Sequence, residues 1–284
     1  MSPRGQFNWG IMGKLLENSQ EAILDVDDLT ITHRIRSDSG RKTSFNAVHK
    51  VSLNVLPGEI VGLVGESGSG KTSLSLAVCA LGKLTQGKIR VAGLDLSSMR
   101  GKKLREARAN VQMVFQDPHS SLDPRQRIGD GLEELRNLHS DRVGEISNEE
   151  LLKRVGLNSG ILSRLPSQIS GGQAQRVSIT RAMMLKPTLL VADEPTSGLD
   201  ATVQAQIIEL FRTFRNEMGL SILFVSHNLA VVRELCDRAY VMKSGMIVES
   251  GDAASLFENP AHEYTKKLVS AVPGKTAELA KGSS

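Results

Sequence analysis

The sequence contains few cysteines and no cluster of metal-binding side chains. Only two of its 284 residues are cysteines, Cys79 and Cys236, and they stand far apart among apolar residues. Two such thiols form neither a disulfide framework nor a cysteine-held metal site, and they suit a reducing compartment. The six histidines form no ligand cluster either.

The sequence also lacks long hydrophobic runs and a strong charge of either sign. No run of about 18 apolar residues occurs, so we expect no membrane span. The start of the chain lacks the apolar core of a signal peptide. The net charge of +4 is too small to argue for a nucleic-acid partner. The basic run at 100–108 is interpreted as a solvated helix face. Because no membrane span is expected, any role at a membrane would depend on partner chains.

What the sequence does contain is an alternation of apolar runs and helical patterns. Two stretches, 23–31 and 51–55, alternate as half-buried antiparallel strands do. Continuous apolar runs, typical of strands buried on both faces, lie at 60–65, 111–115, 189–193 and 222–227. Helical patterns lie at 71–82, 201–218 and 228–237, and we expect Gly82 to end the first of them. The alternation predicts an α/β fold with a parallel sheet core.

Four segments can be distinguished along the chain. Residues 1–20 have no clear period and are predicted to form an N-terminal tail. The main domain is predicted at 21–250, and within it 118–186 has helical stretches but no buried-strand run. This part is interpreted as a helical insertion, and 251–284 as an appended C-terminal extension.

The stretch GESGSGKT matches the phosphate-binding pattern G-x-x-x-x-G-K-[ST] between a predicted strand and a predicted helix. Its glycines allow positive φ angles, so that backbone N–H groups can point inward. Lys71 supplies a cation for the β- and γ-phosphates, and the Thr72 hydroxyl can ligate Mg²⁺. The predicted nucleotide-binding residues of this loop are Gly65, Glu66, Ser67, Gly68, Ser69, Gly70, Lys71, Thr72 and Ser73.

Two carboxylates follow the buried run LLVA, where an open α/β sheet binds its ligand. Adjacent carboxylates beside bound phosphate would repel without a metal. Asp193 suits the Mg²⁺ shell together with Thr72, and Glu194 is one residue further on, where it could polarise water. The residues alone therefore predict a Mg²⁺-dependent nucleoside triphosphatase.

The stretch ISGGQAQR poses a separate question. Ser170 and Gln173 have the spacing of a capping box, which marks the start of a helix. A capping box does not explain Gly171 and Gly172, because glycine costs about 1 kcal/mol relative to alanine inside a helix. We expect another group to approach this helix start closely.

In their order, GESGSGKT, FQDP, ISGGQAQR, LLVADEPTSGLD and VSHN resemble the motifs of the ATP-binding subunits of ABC transporters. The resemblance runs from about residue 24 to 250 and implies a P-loop fold with an antiparallel β subdomain and a helical signature subdomain. It implies that Gln116 reaches Mg²⁺ and senses the membrane partner. It also implies that Glu194 is the catalytic base and that His227 contacts the γ-phosphate, while 197–200 resembles the D-loop.

The same resemblance implies an answer to the question of the two glycines. Ser170, Gly171, Gly172 and Gln173 correspond to the signature motif, which in this family faces ATP bound on the opposite subunit of a head-to-tail dimer. The bare backbone and helix N-terminus would then receive the γ-phosphate in trans. For the aromatic residue that stacks on adenine, Phe45 is the nearest candidate.

Two further segments resemble the peptide, nickel and opine importers. They are QDPHSSLDPRQRIG, Gln116 to Gly129, and the stretch Glu258 to Gly274. The resemblance implies a peripheral ATPase on the cytoplasmic face of the inner membrane. It would dock on two polytopic permease subunits, pair with a paralogue or itself, and be supplied indirectly by a solute-binding protein. No cysteine cluster stands near the C-terminus, so no iron–sulfur centre is expected.

Two alternatives remain at this stage. The first is an ABC-type ATPase that acts on nucleic acid or ribosomes, for which two domains in one chain or a long coiled-coil insertion would be the marker. The second is a degenerate subunit that binds ATP without hydrolysing it, although both hydrolytic positions, Glu194 and His227, are filled. The sequence identifies neither the solute nor the pairing.

Overall fold

The computed structural model describes residues 21–36 and 42–271. The predicted tail at 1–20 and residues 272–284 of the predicted extension therefore lie outside the described residues. The described chain forms two sheets, one of four strands and one of six, with helices between them. Within these ranges, no helix combines the length and apolar character needed to cross a membrane.

The four-stranded sheet is antiparallel and has the order β2-β1-β4-β5. Its strands are β1 (Leu24–Arg36), β2 (Lys42–Val55), β4 (Gln86–Val91) and β5 (Leu94–Asp95). The two antiparallel strands predicted at 23–31 and 51–55 are confirmed, but both extend well beyond the predicted bounds. Strands β4 and β5 were not predicted from the sequence, because β4 begins with three exposed residues and β5 has only two residues.

The six-stranded sheet has the order β10-β9-β3-β8-β7-β6. Its strands are β3 (Ile60–Val64), β6 (Val111–Val114), β7 (Leu189–Asp193), β8 (Ser221–Ser226), β9 (Arg238–Lys243) and β10 (Met246–Asp252). All neighbours pair in parallel except β9 and β10, which are antiparallel. The expected burial on both faces holds for β3, β7 and β8 but not for β6, whose middle residues are half-buried because it is an edge strand.

The helices differ in length from one turn to five. They are α1 (Lys71–Val78), α2 (Gly101–Arg108), α3 (Ile128–Leu138), α4 (Ser140–Val143), α5 (Asn148–Arg154), α6 (Gly171–Met184), α7 (Ala201–Met218), α8 (Leu229–Leu235), α9 (Ala253–Glu258) and α10 (Glu263–Ser270). Three 3-10 turns lie at His119–Ser121, Ser159–Ile161 and Pro166–Gln168. Between β6 and β7 the chain forms only helices and turns.

The predicted end of the first helix at Gly82 is wrong. α1 ends at Val78, and Ala80 takes the left-handed conformation with a φ of 52°. The amides of Leu81 and Gly82 then both donate to the carbonyl of Leu76, at 2.8 and 3.1 Å. These two bonds close the helix without a glycine at the left-handed position.

Three parallel strands end side by side at the carboxyl-terminal edge of the large sheet. β3, β8 and β7 are direct neighbours, with Val64 opposite Ser226 and Asp193 opposite Val225. The segments that follow these strands therefore emerge side by side. They are the glycine-rich loop, the residue Glu194 and the residue His227, so the order of the strands alone assembles a site at this edge.

Candidate active site

A cavity of about 960 Å³ opens at this edge of the parallel sheet. Eleven of the predicted catalytic and nucleotide- or metal-binding residues line it, namely Gly65, Glu66, Ser67, Gly68, Gly70, Lys71, Thr72, Ser73, Gln116, Glu194 and His227, and so do the adenine candidate Phe45 and Ser197 of the D-loop-like segment. Ser69 is buried within the same loop, and Asp193 lies behind the cavity wall at the end of β7. The four signature residues do not line the cavity.

The glycines of the loop adopt the conformations that the pattern predicts. Gly65, Gly68 and Gly70 have φ angles of 155, 79 and 108°. A Cβ at Gly65 would lie 2.1 Å from the carbonyl oxygen of Met242, and one at Gly70 would lie 2.2 Å from that of Ala47. Gly65 and Gly70 therefore cannot be replaced by a residue with a side chain for two reasons. Their backbone angles favour glycine, and the backbone of β9 at Gly65 and of β2 at Gly70 leaves no room for a Cβ.

The ammonium group of Lys71 lies at the centre of the loop. Its Nζ donates to the carbonyl oxygens of Gly65 and Glu66, each at 2.8 Å. Burial lowers the pKa of Lys71, and the nearby carboxylates of Glu194 and Asp193 act in the opposite direction. The loop thus holds a desolvated cation where negatively charged oxygens would meet it.

Asp193 and Thr72 fit a magnesium ion. The Asp193 carboxyl is only 4% exposed, and burial, with a contribution from Glu194, raises its pKa. The side chain of Thr72 acts on the same carboxyl and lowers its pKa, while Oδ1 finds no hydrogen-bond partner among the described residues. A buried carboxylate with a free oxygen beside a hydroxyl suits an ion that takes one or two protein ligands and otherwise water and phosphate. No group of three or more His, Cys, Asp or Glu side chains that could hold a metal ion occurs in the described ranges.

Glu194 and His227 form a pair at the ends of β7 and β8. Glu194 Oε1 lies 3.1 Å from His227 Nδ1, with the histidine side chain 60% exposed and the glutamate side chain 16% exposed. Glu194 has a φ of 48°, and its N–H donates to the carbonyl of Val225 at 2.9 Å. A left-handed non-glycine residue fixed by the neighbouring strand is a local strain of the kind that occurs at functional sites.

Ser170 and Gln173 form the predicted capping box, which is confirmed. The Gln173 N–H donates to Ser170 Oγ at 3.3 Å, and the Ser170 N–H donates to Gln173 Oε1 at 3.0 Å. The two glycines between them differ from each other. A Cβ at Gly172 would lie 2.7 Å from Val203 Cγ1 of α7, whereas one at Gly171 would have only an ordinary contact of 3.7 Å with Leu199. Packing within the chain therefore explains Gly172, and Gly171 alone is left open to an outside group.

The segment that follows Gln116 contacts the signature helix α6. Ser121 Oγ lies 2.7 Å from Ser178 Oγ, and Arg181 donates to the carbonyl of Ser121. Gln116 itself is exposed and lines the cavity. One continuous segment thus joins the phosphate cavity to the signature helix.

Several cavity residues were missed from the sequence. His33 stands opposite Phe45 in the β1–β2 pairing, with the ring centroids 5.7 Å apart, and its Nε2 lies 3.2 Å from Ser73 Oγ. Both rings line the cavity. Two residues of the C-terminal segment, Leu268 and Ala271, also line it. Only the strand pairing reveals His33, and only the position of α10 reveals the other two.

The comparisons with known proteins agree with this geometry. A family model described as ABC transporter matches residues 48–197. The chain is 40% identical over 269 residues to the oligopeptide transport ATP-binding protein OppF of Salmonella typhimurium, covering 89% of this chain and 78% of that protein. It is 42% identical over 261 residues to the oligopeptide transport ATP-binding protein AppF of Bacillus subtilis, covering 90% of this chain and 79% of that one.

Solved structures give the same result for the fold. One is a dimeric ATP-binding cassette in a post-hydrolysis state bound to ADP and Pi, with a TM-score of 0.71 and 28% identity over 81% of this chain and 98% of that one. Another is cbiO1 of Clostridium perfringens, part of the cbiONQ ABC transporter complex, with a TM-score of 0.70 and 25% identity over 92% and 99% of the two chains. The fold is that of an ATP-binding cassette with a P-loop core. The chain belongs to the ABC transporter family.

The contact at Gly172 gives a stability prediction. Gly172→Ala should lower the free energy of unfolding by about 1–3 kcal/mol, because the new methyl group overlaps Val203. In a Val203→Ala background the same change should be neutral or stabilising, since alanine is the better helix residue. Urea unfolding of the four proteins of this cycle measures the coupling. Gly171→Ala is the matched control and should not destabilise the chain, and an equal loss for both glycines would contradict the assignment.

The raised pKa of Asp193 gives a prediction of pH dependence. Because burial raises the folded-state pKa of Asp193 above its unfolded value, the ionised carboxylate lowers stability at pH values above that folded pKa. Asp193→Asn should therefore be more stable than wild type near neutral pH without nucleotide. The difference should shrink as pH falls through the raised pKa, which urea unfolding at several pH values would show. Asp200→Asn, at an exposed helix cap, is the control, and a loss of stability in Asp193→Asn at neutral pH would count against this reading.

Proposed function

We propose that this protein is the ATP-hydrolysing motor subunit of a binding-protein-dependent ABC importer for peptides or related solutes. The observation that carries the proposal is the convergence of three features at one cavity. These are the loop around Lys71 and the pair of Glu194 and His227, which line the cavity, and the buried carboxylate of Asp193 directly behind its wall. Family membership and relatives named for oligopeptide transport support the same function.

The loop binds the phosphates of ATP. Backbone N–H groups at the start of α1 and the positive end of that helix attract the phosphate oxygens. Lys71 meets the β- and γ-phosphates once its ammonium exchanges a carbonyl partner for phosphate oxygen. Next to Ser73, the rings of His33 and Phe45 provide an aromatic surface for the adenine base.

Thr72, Asp193 and Gln116 would hold the magnesium ion. Thr72 would supply its hydroxyl oxygen, Asp193 its carboxylate, and Gln116 its side-chain oxygen from the exposed segment after β6. The ion, when bound, offsets negative charge on the β- and γ-phosphates.

Glu194 is the general base for hydrolysis. Its carboxylate accepts a proton from the attacking water, which then reaches the γ-phosphate in line with the leaving oxygen. His227 lies within hydrogen-bond distance of Glu194, so it can orient the carboxylate and donate to a γ-phosphate oxygen. The left-handed backbone of Glu194 keeps the side chain turned into the cavity.

A second ATP-binding subunit completes the site in trans. Ser170, the open backbone at Gly171, and Gln173 stand outside the cavity of their own chain, where they can contact ATP held by a partner. This chain carries both the loop and the signature, so a second copy or a paralogue can pair with it. The solved cassette that is a dimer with ADP and Pi supports such an arrangement.

The transport role requires partners in the membrane. We expect two polytopic permease subunits to hold the cassette at the cytoplasmic face, with a solute-binding protein acting on them from outside. The segment from Gln116 to Ser121 suits the link, because it joins the cavity to the signature helix. Peptides are favoured over other solutes because relatives that match most of the chain are named for oligopeptides and dipeptides.

The base assignment is tested by Glu194→Gln. This change keeps the shape of the side chain but removes the proton acceptor, so the rate of Mg²⁺-dependent ATP hydrolysis should fall by roughly 10²- to 10⁴-fold. The affinity for ATP, measured by equilibrium binding, should change little. Glu209→Gln on the exposed face of α7 is the matched control and should hydrolyse ATP at the wild-type rate. Retention of more than about half of the activity in Glu194→Gln would refute a base role.

A further inference from the structure

We propose that Tyr264 of helix α10 is a positioning residue for the phosphate loop. Its phenol oxygen holds the Gly65–Glu66 peptide in the orientation that directs a carbonyl at Lys71. The inference rests on the proposed ATP site and extends it into the C-terminal segment, beyond the motifs that form the cavity. No motif of the loop itself requires this contact.

The central observation is that one peptide unit is hydrogen-bonded through both its N–H and its C=O group. The Glu66 N–H donates to the Tyr264 hydroxyl oxygen at 3.0 Å. The carbonyl of Gly65, which belongs to the same peptide unit, accepts from Lys71 Nζ at 2.8 Å. A trans peptide is planar and its N–H and C=O point in opposite directions. Fixing the N–H on Tyr264 therefore fixes the direction of the carbonyl toward Lys71.

Tyr264 is itself firmly placed. Its side chain is buried at 5% exposure, and the ammonium of Lys243 lies 4.9 Å from the centre of its ring. Burial raises the pKa of Tyr264, so the phenol is neutral at physiological pH. A neutral hydroxyl oxygen retains the lone pairs needed to accept the Glu66 N–H.

The start of α10 is anchored to the large sheet through Glu249 of β10. The carboxylate of Glu249 accepts from the backbone N–H groups of Ala261 at 2.7 Å and His262 at 3.1 Å. His262 Nδ1 in turn accepts from the Tyr264 N–H at 3.0 Å and caps the helix. Thr265, the next residue, is fully buried. The tyrosine is therefore positioned by the sheet that also carries the phosphate loop.

The same face of α10 forms part of the cavity wall. Leu268 and Ala271 follow Tyr264 by four and seven residues, which places all three on one side of a helix. Leu268 and Ala271 line the nucleotide cavity, while Tyr264 reaches the loop behind it. The helix thus contacts both the binding space and the backbone that shapes it.

The test is Tyr264→Phe in the full chain, with two measurements. Without nucleotide, hydrogen–deuterium exchange at the Glu66 amide should become faster, because the N–H loses its acceptor. With Mg²⁺, the dissociation constant for ATP should rise roughly three- to tenfold, the effect of leaving one such donor unpaired. In steady state, KM should rise more than kcat falls, because the tyrosine does not touch the reacting atoms.

Tyr240→Phe is the matched control. Tyr240 also accepts a backbone N–H, that of Asn54 at 3.2 Å, but on β9 away from the loop. Its loss should leave the ATP affinity and the exchange at Glu66 unchanged. Equal weakening in both variants, or wild-type values in Tyr264→Phe, would overturn the proposal.

Two further measurements cover the cases in which Tyr264→Phe does not fold or the wild-type protein does not bind ATP. If Tyr264→Phe does not fold, Glu249→Gln loosens the same helix without touching the loop and should weaken ATP binding in the same direction. Wild-type ATP affinity in Glu249→Gln would then overturn the proposal. If the wild-type protein itself fails to bind ATP, the proposed function is wrong, and this result is separate from any difference between the two tyrosine variants.

Discussion

The position of a desolvated cation is the constraint on which the rest of the site depends. An ammonium removed from water is costly unless oxygen atoms replace the lost hydration. Lys71 finds them in two loop carbonyls, with the carboxylates of β7 nearby. Those carbonyls face inward because the loop turns through glycines, and the glycines at 65 and 70 are tightly packed against the backbone of β9 and β2. The loop, both sheets and the cation are therefore one packed unit.

The signature helix α6 is not part of this packed unit, because its N-terminus is satisfied by its own side chains. Its capping box satisfies the helix start without any outside group, so α6 folds as an ordinary helix. Gly172 is needed for close packing on α7, which leaves Gly171 as the open position. The bond between Ser121 and Ser178 connects this helix to the segment that lines the cavity. One segment therefore contacts both the phosphate cavity and the signature helix.

Much of the fold and site could be predicted from the sequence because buried strands and phosphate loops leave strong local patterns. β7 and α7 match the predicted bounds, and the loop glycines take the predicted conformations. The missed features depend on distant partners. β9 and β10 lack a long apolar run, His33 reaches the cavity only through strand pairing, and Gly172 is explained only by Val203. None of these contacts leaves a periodic pattern in the local sequence.

In the proposed mechanism each chain holds ATP around Lys71, and a second ATP-binding subunit, a copy of this chain or a paralogue, completes the site with its signature. The direct measurement is light scattering of purified Glu194→Gln with and without ATP and Mg²⁺, since this variant should bind ATP but not hydrolyse it. We predict the mass of two chains with ATP and of one chain without it, and we predict that adding Ser170→Arg abolishes the doubling. A variant that binds ATP yet keeps the mass of one chain would indicate that a paralogue or the membrane subunits are needed for pairing, whereas a variant that fails to bind ATP, or a doubling that survives Ser170→Arg, would contradict the account.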